Sequence, residues 1–133
     1  MAVPPESPFS RPLLVVDGAN VVGSVPDGWW RDRRGAAERL RDRLAGHGGP
    51  ADGPFTGPYE IVLVVEGAAR GVGPVPGVRV EEAPGSGDDL IAELARQAKG
   101  RPCLVVTADR ELRRRVEAEG ARCTGPRSVL PAP

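Results

Sequence analysis

The sequence predicts an α/β fold built on a mainly parallel central sheet with helices on both faces. Three short, nearly continuous apolar runs, Leu13–Val16, Ile61–Val65 and Leu104–Val106, have the length and composition of strands covered on both sides. Between and after them lie longer stretches whose apolar residues recur at helical spacing. Strands and helices therefore alternate, the order that yields parallel strands joined by crossover helices. The 133 residues, 40% of them hydrophobic, suit one domain with one core.

Residues 1–10 are Pro-rich and lack both a basic start and an apolar stretch, so they read as a flexible lead-in rather than a signal peptide. The domain is expected over residues 11–127, with 128–133 as a tail. Leu13–Val16, between Pro12 and Gly18, is the first strand, and Gly18 marks a turn. Asp27-Gly28 is a second turn, after which Trp29-Trp30 opens a helix to about Ala45, with Ala37, Leu40 and Leu44 on its core face. Residues 46–58 are rich in Gly and Pro and read as a mobile or variable loop. Tyr59–Val65 is the second strand; Val78–Glu81 alternates apolar and polar and reads as a shorter, more exposed one. Asp88–Lys99 is a helix with Leu90, Ile91, Leu94, Ala95 and Ala98 inward, Ser86 or Gly87 near its start and Gly100 past its end. Cys103–Val106 is the next strand, Asp109–Glu119 a helix with Leu112 and Val116 inward, and Ala121–Thr124 a last short strand.

Composition excludes several classes of function. Eighteen Lys and Arg balance eighteen Asp and Glu, so no overall field attracts nucleic acid, and any such binding needs a local patch. Cys103 and Cys123 lie in apolar, strand-like contexts and His47 is the only histidine, too few ligands for a structural zinc site. His47 would be the sole base for a Ser-His-Asp triad, and no nucleophile elbow accompanies it. No apolar run approaches the ~20 residues of a membrane helix, and a cytoplasmic location is expected.

The functional signal lies where strands end. In a parallel sheet the ligand site forms off the carboxyl ends of the strands, where strand order reverses. Asp17, Glu66 and Asp109 follow the three main apolar strands, and Asp88-Asp89 opens a helix that must start on the same side. Each alone reads equally well as a turn residue or a helix cap. Together they place like charges on one edge, a cost that a cation relieves. Oxygen donors suit Mg²⁺ or Mn²⁺, which neutralises a phosphodiester and acidifies a bound water. Asp17, Asp88 and Asp109 are the expected ligands and catalytic groups, with Glu66 ligating directly or through water and Asp89 the alternative to Asp88. Asn20 is placed to hold a phosphate or a metal-bound water. Thr107 is placed to orient Asp109 or donate to a phosphate.

The run Val16-Asp17-Gly18-Ala19-Asn20-Val21-Val22-Gly23 resembles the opening motif of the NYN branch of PIN-like nucleases, and within it the bacterial YacP-like group. The resemblance continues through Trp30-Arg31-Asp32-Arg33, Gly85-Ser86-Gly87-Asp88-Asp89 and Thr107-Ala108-Asp109-Arg110, in the family's order and over most of residues 12–127. It implies the PIN-like three-layer form of the fold and a metal-dependent ribonuclease, expected to be an endoribonuclease, using a carboxylate-bound metal pair. Asp17, Asn20, Asp88 and Asp109 take the family's site positions, and Asp88 aligns better than Asp89. The chain departs at Glu66-Gly67, where relatives often carry Asp. RNA, including ribosome-associated or structured RNA, is the expected partner.

Among the basic residues, Arg31, Arg34 and Arg110 lie near helix starts by the expected site and are the candidates for the RNA backbone. The others read as solvated helix faces with intrahelical ion pairs. Trp29 and Trp30 suit base stacking or a core anchor. Two other readings compete: a catalytically inactive module that binds RNA or protein, and a small-molecule phosphatase or nucleotide pyrophosphohydrolase. Haloacid-dehalogenase-like phosphatases need a second Asp two residues after the first, where this chain has Ala19.

Overall fold

A computed structural model describes residues 11–51 and 53–131; the expected lead-in, residues 1–10, and the end of the expected tail lie outside the described residues. Among the described residues five strands form: β1 (Leu13–Asp17), β2 (Glu60–Val65), β3 (Val78–Glu82), β4 (Cys103–Val106) and β5 (Arg122–Thr124). Four α-helices accompany them: α1 (Gly18–Gly23), α2 (Arg33–His47), α3 (Gly87–Gln97) and α4 (Arg110–Ala118). The sheet order is β3-β2-β1-β4-β5 and every strand pair is parallel. The predicted α/β class, with helices on both faces, is what the chain adopts.

Alternation along each strand builds two apolar layers, because successive side chains point to opposite faces. Leu14, Val16, Leu63, Val65, Leu104 and Val106 face α2, where Ala37, Leu40 and Leu44 close the layer. Leu13, Val15, Val62, Val64 and Val105 face α3 and α4, meeting Ile91, Ala95, Leu112 and Val116. The central strand β1 is buried along its whole length, which explains its lack of polar residues before Asp17.

Two local expectations change. Gly18 does not make an open turn: it starts α1, a short helix capped by Asp17. The helix expected from Trp29 is broken at Asp32, whose non-helical backbone ends a 3-10 turn at Trp29–Arg31 and whose carboxylate accepts from the Gly35 N–H at 3.0 Å. An Asp that satisfies a free helix amide outcompetes continuation of the helix through it. At the other end Gly48, with φ +71°, stops α2 in the left-handed conformation that glycine adopts most readily.

The Gly- and Pro-rich loop after α2 packs against the protein. Pro50 is buried, Phe55 packs on the α2-side layer, and the Tyr59 hydroxyl donates to the Phe55 carbonyl at 2.9 Å. Because α2 runs back against the strand direction, this loop lies at the amino ends of the strands, away from Asp17. The packed chain also runs past residue 127: Val129 is buried, Leu130 packs on the α2-side layer, and Arg43 donates to the Val129 carbonyl at 2.9 Å. No helix among the described residues is long and apolar enough to cross a membrane.

Candidate functional site

Strand order reverses between β1 and β4, since the chain builds β2 and β3 on one side of β1 and then crosses to the other. Asp17, the last residue of β1, stands at that crevice and is 6% exposed. Two groups hold its carboxylate. One oxygen accepts from the Asn20 N–H at 3.3 Å, and the other accepts from the Thr107 hydroxyl, just past β4, at 2.9 Å. Thr107 is fully buried and its hydroxyl also accepts from the Asp109 N–H at 3.2 Å. Its hydroxyl is thus engaged with Asp17 and Asp109, which fits the first of the two expected roles, orienting Asp109. The Asn20 side-chain carbonyl accepts from the Ala108 N–H at 2.8 Å, so only its amide NH₂ end can meet a ligand. Arg113 donates to the Thr107 carbonyl at 2.8 Å and fastens the same loop.

Three further carboxylates surround this pair of strand ends. Glu66, directly after β2, accepts from the Gly87 N–H at 2.6 Å and so ties the start of α3 to the site. Asp88 follows in the first turn of α3, half-buried. Asp109 caps α4, accepting from the Leu112 N–H at 3.0 Å. Asp89 turns the other way: its side chain is 77% exposed and pairs with Arg115 at 3.0 Å. The structure therefore brings together Asp17, Glu66, Asp88 and Asp109, and leaves Asp89 on the surface.

Burial, with mutual repulsion added to it, marks this group. Burial raises the Asp17 pKa, and the charges of Asp88 and Glu66 push it further, against the hydrogen bonds from Thr107 and Asn20. Burial likewise raises the Asp88 pKa, and Asp109 and Glu66 add to it, with Arg115 partly opposing. Glu60, at the other end of the sheet, shows the contrast. Its hydrogen bond with Arg101, at 2.7 Å, holds its pKa down, and Arg79 adds to the effect.

A stability consequence follows. With its pKa raised on folding, Asp17 binds more protons in the folded than in the unfolded state between the ordinary carboxylate range and the raised value. Its contribution to metal-free stability is favourable below that range and is lost as pH rises through the raised value. In chelator at pH 7, Asp17→Asn is expected to unfold at higher urea than the parent, the gap closing as pH falls toward 4. Urea midpoints across pH would reject this if the variant is less stable by a constant amount throughout.

The donor chemistry fits a hard divalent cation: four carboxylates, two of them disfavoured in their charged form by burial and by each other. Among the described residues no three His, Cys, Asp or Glu side chains are set to hold a metal ion as they stand. The physical reason is visible in their hydrogen bonds. Mutually repelling carboxylates turn to the nearest compensating dipoles, and Asp17, Glu66 and Asp109 each take a backbone N–H at a helix start.

The basic candidates separate. Arg31 lies over the Trp30 ring at 5.8 Å, and Arg34 donates to the Arg70 carbonyl at 3.3 Å. Arg110 is exposed beside Asp109 and has no ion-pair partner among the described residues. Sequence reasoning passed over Arg33, which lines a cleft of about 380 Å³ opening beside Glu66 and Gly18. Within the run Arg31-Asp32-Arg33-Arg34 only the cap at Asp32 distinguishes it, by placing Arg33 first in α2.

No protein-family model matches the chain, and no curated protein matches it. Among solved structures, the fold is similar to that of Rae1 (YacP) from Bacillus subtilis, with a TM-score of 0.67 and 21% sequence identity. The match covers 90% of this chain and 73% of that one.

Proposed function

We propose that this protein is a metal-dependent ribonuclease that hydrolyses RNA phosphodiesters at Asp17, Glu66, Asp88 and Asp109. The observation that carries the reading is the convergence of these carboxylates at the strand-order reversal, with buried Asp17 in charge repulsion with Asp88 and Glu66. Asp17, Asp88 and Asp109 would hold Mg²⁺ or Mn²⁺, with Glu66 ligating directly or through water. A cation there supplies neutralisation of the phosphate and acidification of the attacking water. The protein's own groups do the rest: Thr107 and Asn20 hold Asp17 and the β4–α4 loop in register, and the amide end of Asn20 faces substrate. Arg110 contributes positive charge for the RNA backbone, since a cation at a helix start opposes the helix dipole and gains nothing there for folding. The fold likeness to a protein called YacP supports the reading, because the chain's motifs resemble that same group.

A second reading, a catalytically inactive module that binds RNA, is favoured by one observation: three of the carboxylates rest on backbone amides rather than being poised for a metal. Incubation of a mixed RNA pool with Mn²⁺, Mg²⁺ or chelator separates the two. Cleavage is expected with metal and not with chelator. Asp88→Asn should reduce it by roughly 10²–10³-fold, a few kcal/mol of barrier, whereas Asp89→Asn, already paired on the surface, should stay within about twofold. Binding without cleavage under any metal would establish the second reading instead.

A further inference from the structure

We propose that the cleft beside Glu66 is a nucleobase subsite, which takes one unstacked base of single-stranded RNA next to the phosphate being cut; the proposal rests on the ribonuclease reading. The cleft has the size of a small-ligand site, within the usual range of about 300–1,000 Å³. It shares its border with the carboxylates: Gly18 follows Asp17 in the chain, and Glu66 belongs to both. A base held there leaves its own phosphate at the strand ends.

The walls suit a flat aromatic ring. On one side the Arg33 guanidinium lies over the Trp29 ring at 5.2 Å, a planar, cationic and aromatic surface of the kind on which bases stack. Gly18, Ala19 and Ala69 form small, apolar walls that admit a ring edge closely. Ser86 supplies a polar group for the edge of the base. Arg70, also in the lining, is held by the Ala83 and Pro84 carbonyls at 3.1 and 2.9 Å, so this wall is rigid. Bases in an A-form duplex are stacked and paired and cannot enter such a slot, whereas those of single strands can be splayed out. The balanced net charge fits the same picture, since affinity then comes from stacking more than from a broad positive surface.

The test begins with fluorescence. Trp30 is 55% exposed, so Trp30→Phe leaves Trp29 as the only tryptophan without disturbing the core. Titration of this variant, in chelator, with a nucleoside is expected to quench Trp29, and titration with ribose is not. Anisotropy in chelator then compares a short labelled single-stranded RNA with copies of it made abasic at one position each. Loss of the base that enters the cleft is expected to weaken binding about tenfold. Ala19→Leu fills the cleft from an exposed position of α1 and is expected to weaken the intact RNA by a similar factor while leaving that abasic copy unchanged. Equal affinity for the intact RNA and every abasic copy would overturn the proposal, as would quenching by ribose. Nucleoside binding without an abasic effect would make this a free-nucleotide site and also overturn it. All these readouts are metal-free, so failure to find cleavage would defeat the ribonuclease reading without altering them.

Discussion

Asp17→Asn is expected to reduce RNA cleavage by at least about a thousandfold, roughly 4 kcal/mol of barrier, while the domain stays folded. Asp17 is the carboxylate nearest the centre of the arrangement: it ends the central strand, is buried, and interacts with both Asp88 and Glu66. Asn keeps the shape and can still accept from the Asn20 N–H, with its NH₂ group turned to the Thr107 oxygen. What it removes is the negative charge that holds a cation. The same variant should therefore lose metal-dependent stabilisation. A ligand that binds only the folded state stabilises it by about 2.7 kcal/mol at a hundred times its Kd, on the order of 10 °C for a domain of this size. Melting curves with and without Mn²⁺ should show such a rise for the parent and little for Asp17→Asn. An unchanged cleavage rate would remove Asp17 from the site. Equal metal-induced shifts in the two proteins would place the cation elsewhere.

Gly18→Ala is expected to destabilise the protein by about 1–3 kcal/mol, the usual cost of forcing a methyl into a packed site, and to lower cleavage with it. A Cβ at this position would stand 2.5 Å from the Val64 carbonyl oxygen and 3.3 Å from Leu63 Cδ1. Val64 is fixed in β2, paired in register with Asp17, so the carbonyl cannot retreat without disturbing the sheet. Either α1 shifts, and Asp17 and Asn20 with it, or β2 bends. Gly46, near the end of α2, is the control: nothing lies within 4 Å of its Cβ position. Gly46→Ala should raise stability by about 0.5–1 kcal/mol through the lower entropy of the unfolded chain and better helix propensity. Urea midpoints of the two variants should move in opposite directions. A Gly18→Ala protein as stable as the parent would mean that the close approach of α1 to β2 is not a constraint.

What the sequence by itself determined follows from local patterns. The apolar runs before Asp17, Glu66 and Thr107 are short and uninterrupted because their strands are covered on both faces, and alternation with helices made the sheet parallel. From that order alone, Asp17, Glu66, Asp88 and Asp109 had to share one edge. Tertiary contact decided the rest. Asp88 and Asp89 are adjacent and chemically identical; alignment favours Asp88, and the packing of α3 against α4 sets Asp88 beside Asp109 and Glu66 and Asp89 against Arg115. Thr107 finds its acceptor ninety positions away, across the strand-order reversal, a pairing that no local pattern encodes. Glu66 reaches the Gly87 amide because β2 and the start of α3 meet at the same end of the sheet. Gly18 reads as a turn glycine in one dimension; in three it is glycine because a neighbouring strand leaves no room for a side chain. Strand and helix periods repeat within a few residues and can be read along the chain. The direction of a single side chain is set by which distant surface it meets, and that exists only once the chain has folded.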